Sequence, residues 1–316
     1  MTFDINIVFN IAISMFLVMA VGYLLRKIGL IDAAFSKSLS RLVLYVTQPV
    51  LIVASMIKLK FSIENTKQLG FIFLISLFVH CLGALFGYLS MRFIKQENAR
   101  KLSEHSILFL NIMFFGLPIV QAMFGDVGTA WASFFSINFH LFAWTYGLMI
   151  LGRGRDDIKL SLKNVLLNCG TIPCTLGVVL YVLSFDLPAG VTTALNYIGS
   201  LCTPISLLVL GGVLSTLPFK KLFNDGRIYY VCFVKLIVFP LVVFIITKYL
   251  FGINDEMSMF AMLMAGLPTA SLTNMFAELY DIEPGYAATS VGMTTAFSVA
   301  TLPFVVWAAQ TISQMF

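Results

Sequence analysis

The chain has 316 residues, of which 59% are hydrophobic and only 11% charged, whereas a soluble domain carries roughly a quarter of its residues charged. That balance excludes an ordinary water-soluble enzyme or binding module and makes lipid the solvent. The net charge of +5 is explained by the loops described next, and no aromatic-basic surface motif supports nucleic-acid binding.

A bilayer core of roughly 30 Å needs about 20 apolar residues per helix. Scanned with that ruler, the sequence gives ten apolar segments: Ile5–Leu25, Ser38–Ile57, Leu69–Ile94, Ser103–Met123, Thr129–Leu151, Asn164–Ser184, Val191–Leu217, Ile228–Phe251, Met257–Leu279 and Tyr286–Gln310. The first has no basic residue before it and runs into Arg26 and Lys27 without a small-residue cleavage site, so it reads as a retained helix and not as a signal peptide. Short cytoplasmic loops hold Lys and Arg. With both termini outside, fifteen of the twenty fall inside, among them Arg26, Lys37, Arg92, Arg100, Arg153, Lys163 and Arg227, while Lys58, Lys60, Lys67 and Lys248 fall outside. The expected organisation is an all-α integral membrane protein of ten transmembrane helices. Residues 1–152 form one five-helix repeat, 153–163 a cytoplasmic connection and 164–316 a second five-helix repeat.

Two motifs recur across those halves. Gly116-Leu117-Pro118 in the fourth segment returns as Gly266-Leu267-Pro268 in the ninth, 150 residues on, and Gln48-Pro49 in the second is matched by Thr203-Pro204 in the seventh. Phe124-Gly125-Asp126 closes the fourth segment and Phe276-Ala277-Glu278 the ninth. An odd number of spans per repeat reverses the second half in the membrane, giving an inverted repeat related by an axis in the membrane plane. Interrupted helices at matching places in such halves point to a transporter's binding site. Proline lacks an amide hydrogen and clashes with the preceding turn, and lipid cannot satisfy the backbone groups so released. If the broken helices 4 and 9 cross, two half-helix N-termini converge and make an anion site.

The stretch Leu110-Asn111-Ile112-Met113-Phe114-Phe115-Gly116-Leu117-Pro118-Ile119, with Gly125 after it, resembles the fourth helix of the auxin efflux carrier family, which includes the plant PIN auxin transporters. Leu267-Pro268, Phe276-Ala277, Tyr280 and Pro284 resemble that family's ninth-helix crossover. The resemblance spans essentially the whole chain, with the short Arg153–Lys163 connection in place of the plant proteins' long loop. That brevity resembles bacterial members described as malate or malonate permeases, and it implies a multi-pass protein of the bacterial inner membrane. The resemblance implies a scaffold of helices 1, 2, 6 and 7, a transport domain of helices 3–5 and 8–10, an elevator motion, and a homodimer through helices 2 and 7. It matches Asn111 to an asparagine near the substrate carboxylate and Pro118 and Pro268 to the crossover prolines. Thr273 and Asn274 depart from the apolar residues or proline of the plant sequences, so the substrate need not be aromatic.

The candidate substrate-binding residues are therefore Gln48, Asn111, Gly116, Pro118, His140, Gly266, Pro268, Thr269 and Asn274. Asn111 either donates to a carboxylate or caps a carbonyl, and the hydroxyls of Thr269, Ser271 and Thr273 serve a site or helix packing. His80, His140 and Lys235 fall inside predicted spans, where ionisable groups are suspects for function; Lys235, near the cytoplasmic end of helix 8, is within reach of the interface by snorkelling and reads mainly as an anchor or salt-bridge partner. No Asp or Glu sits at a predicted membrane centre, which argues against a carboxylate-based cation antiporter. Sodium coupling would need carbonyls, hydroxyls and amides, and proton coupling a histidine or the substrate; both stay open beside uniport. The five cysteines lack metal-ligand spacing, and no cofactor is expected.

These features favour a secondary transporter of small organic anions, carboxylates such as malate or malonate or an auxin-like monocarboxylate. The alternative is a membrane-embedded receptor that uses the pocket without turnover. The sequence has no Ser-His-Asp cluster, His-Glu-x-x-His or glycine-rich phosphate loop, so an enzyme is not expected.

Overall fold

The computed structural model describes residues 5–59, 61–155, 158, 171–184, 186–216 and 225–315. Cys169, Lys60, Lys159, Lys163, Lys220, Lys221 and the opening of the sixth apolar segment lie outside them. Among the described residues the protein is all helical: α1 (Ile5–Lys27), α2 (Ala33–Lys58), α3 (Ile63–Phe93), α4 (Glu97–Leu108), α5 (112–151), α6 (Thr171–Val182), α7 (Ala189–Thr216), α8 (Gly226–Leu250), α9 (Asp255–Ala265), α10 (Ser271–Leu279) and α11 (Pro284–Met315). Six helices in the described residues are long and apolar enough to cross a membrane: Ala33–Lys58, Ile63–Phe93, Phe114–Leu151, Ala189–Thr216, Gly226–Leu250 and Pro284–Gln314. Large apolar side chains such as Phe16, Leu24, Phe93, Tyr197 and Leu250 face outward, while Ser76, His80, His105, Lys235 and Ser298 are fully buried. Polar groups inside and apolar groups outside is the arrangement that lipid demands.

Helix starts follow local chemistry. Asp32 accepts from the Phe35 amide at 2.6 Å, Ser62 from Asn65 at 3.0 Å, Asp225 from Arg227 at 3.0 Å and Asn254 from Met257 at 2.9 Å, each satisfying an orphan donor of the first turn. Three prolines obey a second rule. Pro49, Pro118 and Pro240 each sit in the first turn after a five-residue π-helical stretch, Val43–Thr47, Ile112–Gly116 and Val234–Val238. The wider π turn accommodates the residue that cannot donate to the ordinary ladder.

That rule corrects one sequence expectation. Gly116-Leu117-Pro118 does not interrupt its helix, because the π turn carries the chain through it. The interruption falls earlier, at residues 109–111 between α4 and α5, whereas in the ninth segment it does fall at Gly266-Leu267-Pro268, between α9 and α10. The two Gly-Leu-Pro copies thus occupy different places relative to their breaks.

The helices pack in a continuous set of contacts. α1 lies on α7, and α2 on α6 and α7; α3 lies on α4 and α5, α8 on α9 and α11, and α10 on α11. α1 also lies on α11, and both α2 and α7 lie on α5. Close contact comes from glycine: Gly199 faces Leu51, Gly177 faces Met56, and Gly87 faces the Glu104 carbonyl. At the predicted cytoplasmic end, Arg153 pairs with buried Glu104 at 2.6 Å, and Lys101 pairs with Glu97 at 2.9 Å and donates to the Arg153 carbonyl.

Within α5 the chain turns at Gly125, whose φ of 64° and ψ of −150° belong to a region essentially reserved for glycine. Nothing lies within 4 Å of where a Cβ would stand. Gly125→Ala is therefore expected to lower stability by about 1–3 kcal/mol through backbone strain alone, read as a lower unfolding temperature in detergent; an unchanged transition would mean that the turn relaxes freely.

Candidate functional site at the helix crossing

The two interruptions meet. Asn111 donates its amide to the Pro268 carbonyl at 2.8 Å, and Ala270 donates to the Phe109 carbonyl at 3.0 Å, so Leu110 and Thr269 form a single antiparallel bridge. Four backbone groups that neither helix can satisfy are paired with each other, which is how non-helical chain survives inside a membrane protein.

Asn111 is built as a pivot. Its φ of −78° and ψ of 65° match the centre of an inverse γ-turn, closed by the Ile112 amide on the Leu110 carbonyl at 2.8 Å. Its Oδ1 accepts from the Phe114 amide at 3.3 Å and caps α5. The carbonyl accepts from Phe115 at 3.2 Å and Gly116 at 2.9 Å, forming the π turn. What remains is the side-chain Nδ2, buried and without a partner among the described residues; the cap on Oδ1 fixes which end of the amide is which. Across the bridge α10 opens at Ser271, after Ala270, which supplies no side-chain cap; the Thr273 amide is paired with the Ala270 carbonyl at 3.0 Å, and the helix start carries the positive end of its dipole.

The predicted residues fall into two groups. Asn111, Gly116, Pro268 and Thr269 come together at the crossing. A Cβ on Gly116 would stand 2.5 Å from Leu267 Cδ1, so this glycine admits the opposing strand. Thr269 is committed to structure: its amide donates to Thr294 Oγ1 at 3.1 Å and its hydroxyl to the Ser106 carbonyl at 3.3 Å. Pro118 sits in the first turn of the α-helical part of α5, just beyond the crossing, and Gly266 ends α9 with its amide on the Met262 carbonyl at 2.8 Å.

No hydrogen bond among the described residues ties Gln48, His140 or Asn274 to the crossing. Gln48 is buried on α2 with Oε1 unpartnered, and His140 is buried on α5 with Nε2 unpartnered. Asn274 donates to Glu278 at 2.8 Å, one turn along α10. A cavity of about 300 Å³, lined by Leu148, Met149, Gly152, Arg153 and Ile158, lies at the far end of α5 and not at the crossing.

Two residues were misjudged from sequence. His105, hidden among Arg100, Lys101 and Glu104, is fully buried on α4; its Nδ1 lies 2.9 Å from Thr273 Oγ1, its ring centroid lies 4.2 Å from that of Phe109 at a tilt of 43°, and its Nε2 has no partner among the described residues. Lys235 does not snorkel: it is 0% exposed and donates to the Ile107 carbonyl at 2.7 Å. His105 was not singled out among the ionisable residues of the predicted spans, and nine residues of α8 before Lys235 looked short enough for its stem to reach the interface. A hydroxyl seam sews α4 to α11 beside the crossing, with Ser106 and Ser290 oxygens 3.0 Å apart and Ser103 and Tyr286 oxygens 2.8 Å apart.

Comparison with known proteins agrees with a carrier. The family model described as "Membrane transport protein" matches residues 7–164 and 157–306. An uncharacterized transporter of Methanocaldococcus jannaschii is 27% identical over 311 residues, covering 94% of this chain and 97% of the relative. An uncharacterized transporter of Methanothermobacter thermautotrophicus is 23% identical over 295 residues, 92% of this chain and 95% of the relative. A Rhizobium meliloti protein named "Putative malonate transporter" is 28% identical over 127 residues, 40% of this chain and 39% of its own length.

Proposed function

Since the chain belongs to the membrane transport protein family, within which it is auxin efflux carrier-like and not an enzyme, we propose that it is a secondary transporter of small carboxylates that binds its substrate at the helix crossing. The observation that carries this reading is the buried, unpartnered Nδ2 of Asn111 beside the uncapped start of α10. A carboxylate is the ligand with two acceptors for such donors, and helix N-termini favour negative charge. The partial likeness to a protein named for malonate makes dicarboxylates the first substrates to try.

The mechanism proposed is alternating access by an elevator motion. Ten spans in two inverted repeats, 1–152 and 164–316 about the 153–163 connection, place both termini outside the plasma membrane. Helices 1, 2, 6 and 7 form the scaffold, in keeping with the packing of α1 on α7 and of α2 on α6 and α7. The remaining helices carry the crossing. Dimerisation would use helices 2 and 7.

The test is uptake and counterflow of labelled malate, malonate and monocarboxylates in proteoliposomes holding wild type or Asn111→Ala, with imposed sodium and proton gradients. Saturable counterflow in wild type, reduced at least tenfold in the variant, is expected. Ligand binding without flux in wild type would instead favour a receptor.

A further inference from the structure

A lysine buried in a membrane protein demands an account, because an ammonium there is costly unless compensated. Lys235 has no exposure, and among the described residues no carboxylate lies within salt-bridge distance of it. Its one polar contact among the described residues is the Ile107 carbonyl at 2.7 Å, and its Nζ lies 5.7 Å from the centroid of the Phe239 ring. Gly83 of α3 closes over the same spot: a Cβ there would meet Leu108 Cδ1 and Phe239 Cζ, both at 3.3 Å.

Ile107 is the penultimate residue of α4, so its carbonyl is one of the four that a helix end leaves free. The negative end of the α4 dipole offsets part of the ammonium's charge, but an ammonium has three donors and the carbonyl takes one. His105, on the same helix as Ile107, faces the Thr273 hydroxyl at 2.9 Å and not the lysine. The missing partner is an anion, and Asn111 with its free donor stands four residues beyond Ile107, across the interruption that follows the end of α4.

We propose that Lys235 is the fixed countercharge of the bound carboxylate: from the end of α4 it supplies the positive charge that a co-bound sodium ion would otherwise have to bring. This rests on the carboxylate-transport reading and adds to it a residue that sets charge selectivity and removes a sodium requirement. Lys235 acts through space and not by contact, so its effect scales with ligand charge, which a purely structural lysine would not produce.

The test measures half-saturation for malonate and for its monomethyl ester in wild type, Lys235→Met and Lys235→Arg, with external sodium exchanged for choline. Lys235→Met is expected to weaken malonate by about ten- to thirtyfold, the scale of one unit charge acting over roughly 8 Å at an effective dielectric near 20–30. The monoester is expected to lose less, Lys235→Arg to recover most of the loss, and wild type to saturate equally in choline. Equal losses for the two ligands, or none, would overturn the assignment while leaving carboxylate transport standing. So would an absolute sodium requirement in wild type, which needs no variant and decides the matter even if Lys235→Met fails to fold. A wild type that takes up no carboxylate in any salt would overturn the transport reading and this proposal with it.

Discussion

Gly211→Ala is expected to lower the unfolding temperature in detergent by on the order of 10 °C. A Cβ at Gly211 of α7 would stand 1.9 Å from the Met19 carbonyl oxygen, 2.7 Å from its carbon and 2.9 Å from the Tyr23 nitrogen, all backbone atoms of α1. The contact is reciprocal: a Cβ at Gly22 of α1 would stand 2.2 Å from the Leu208 carbonyl oxygen of α7. Small residues that let two backbones touch are the usual basis of helix association in lipid, where no hydrophobic force drives it. No rotamer change relieves a clash with backbone, so the helices must separate. That costs about 3 kcal/mol or more, at about 2–4 °C per kcal/mol for a protein of this order of size. Gly22→Ala should behave alike, and the double variant should fall well short of the sum, because helices already parted have no second clash to relieve. Gly70→Ala, with nothing within 4 Å, is the control and should be neutral or slightly stabilising. An unshifted transition for Gly211→Ala would mean that the α1–α7 contact is not tight.

The sequence announced the membrane class and the presence of two interrupted segments, because each rests on composition or on a chemical rule local to the chain. It misplaced the first interruption because Gly116-Leu117-Pro118 reads as a helix breaker, and only the structure shows the π turn at Ile112–Gly116 that admits Pro118. A repeated tripeptide suggested equivalence, yet the bridge joins Leu110 to Thr269, a pairing across the two halves that nothing local to either residue announces. His105 and Lys235 were misread for a related reason. Burial of a polar side chain depends on what the neighbouring helices present, here Thr273 and the Ile107 carbonyl, and those partners lie more than a hundred residues away in sequence. Thr269 shows the converse: a hydroxyl beside the site looks free in sequence and is engaged by the Ser106 carbonyl.

Asn111 performs two tasks that one substitution series separates. Its Oδ1 caps α5 through the Phe114 amide, and its Nδ2 is the free donor. Aspartate keeps the shape and is as good a cap as asparagine, whereas alanine loses the cap at a cost of about 1 kcal/mol. Stability should therefore run Asn111 and Asn111→Asp together, with Asn111→Ala below them. Carboxylate affinity should run in a different order. Asn111→Ala loses a donor, but Asn111→Asp sets a negative charge at the proposed anion site, where two like charges about 4 Å apart at an effective dielectric near 20 weaken binding by at least about a hundredfold. The more stable variant is thus expected to be the poorer carrier, measured by unfolding temperature and by counterflow on the same preparations. If Asn111 only capped its helix, transport would follow stability, and Asn111→Asp would carry malonate nearly as well as wild type.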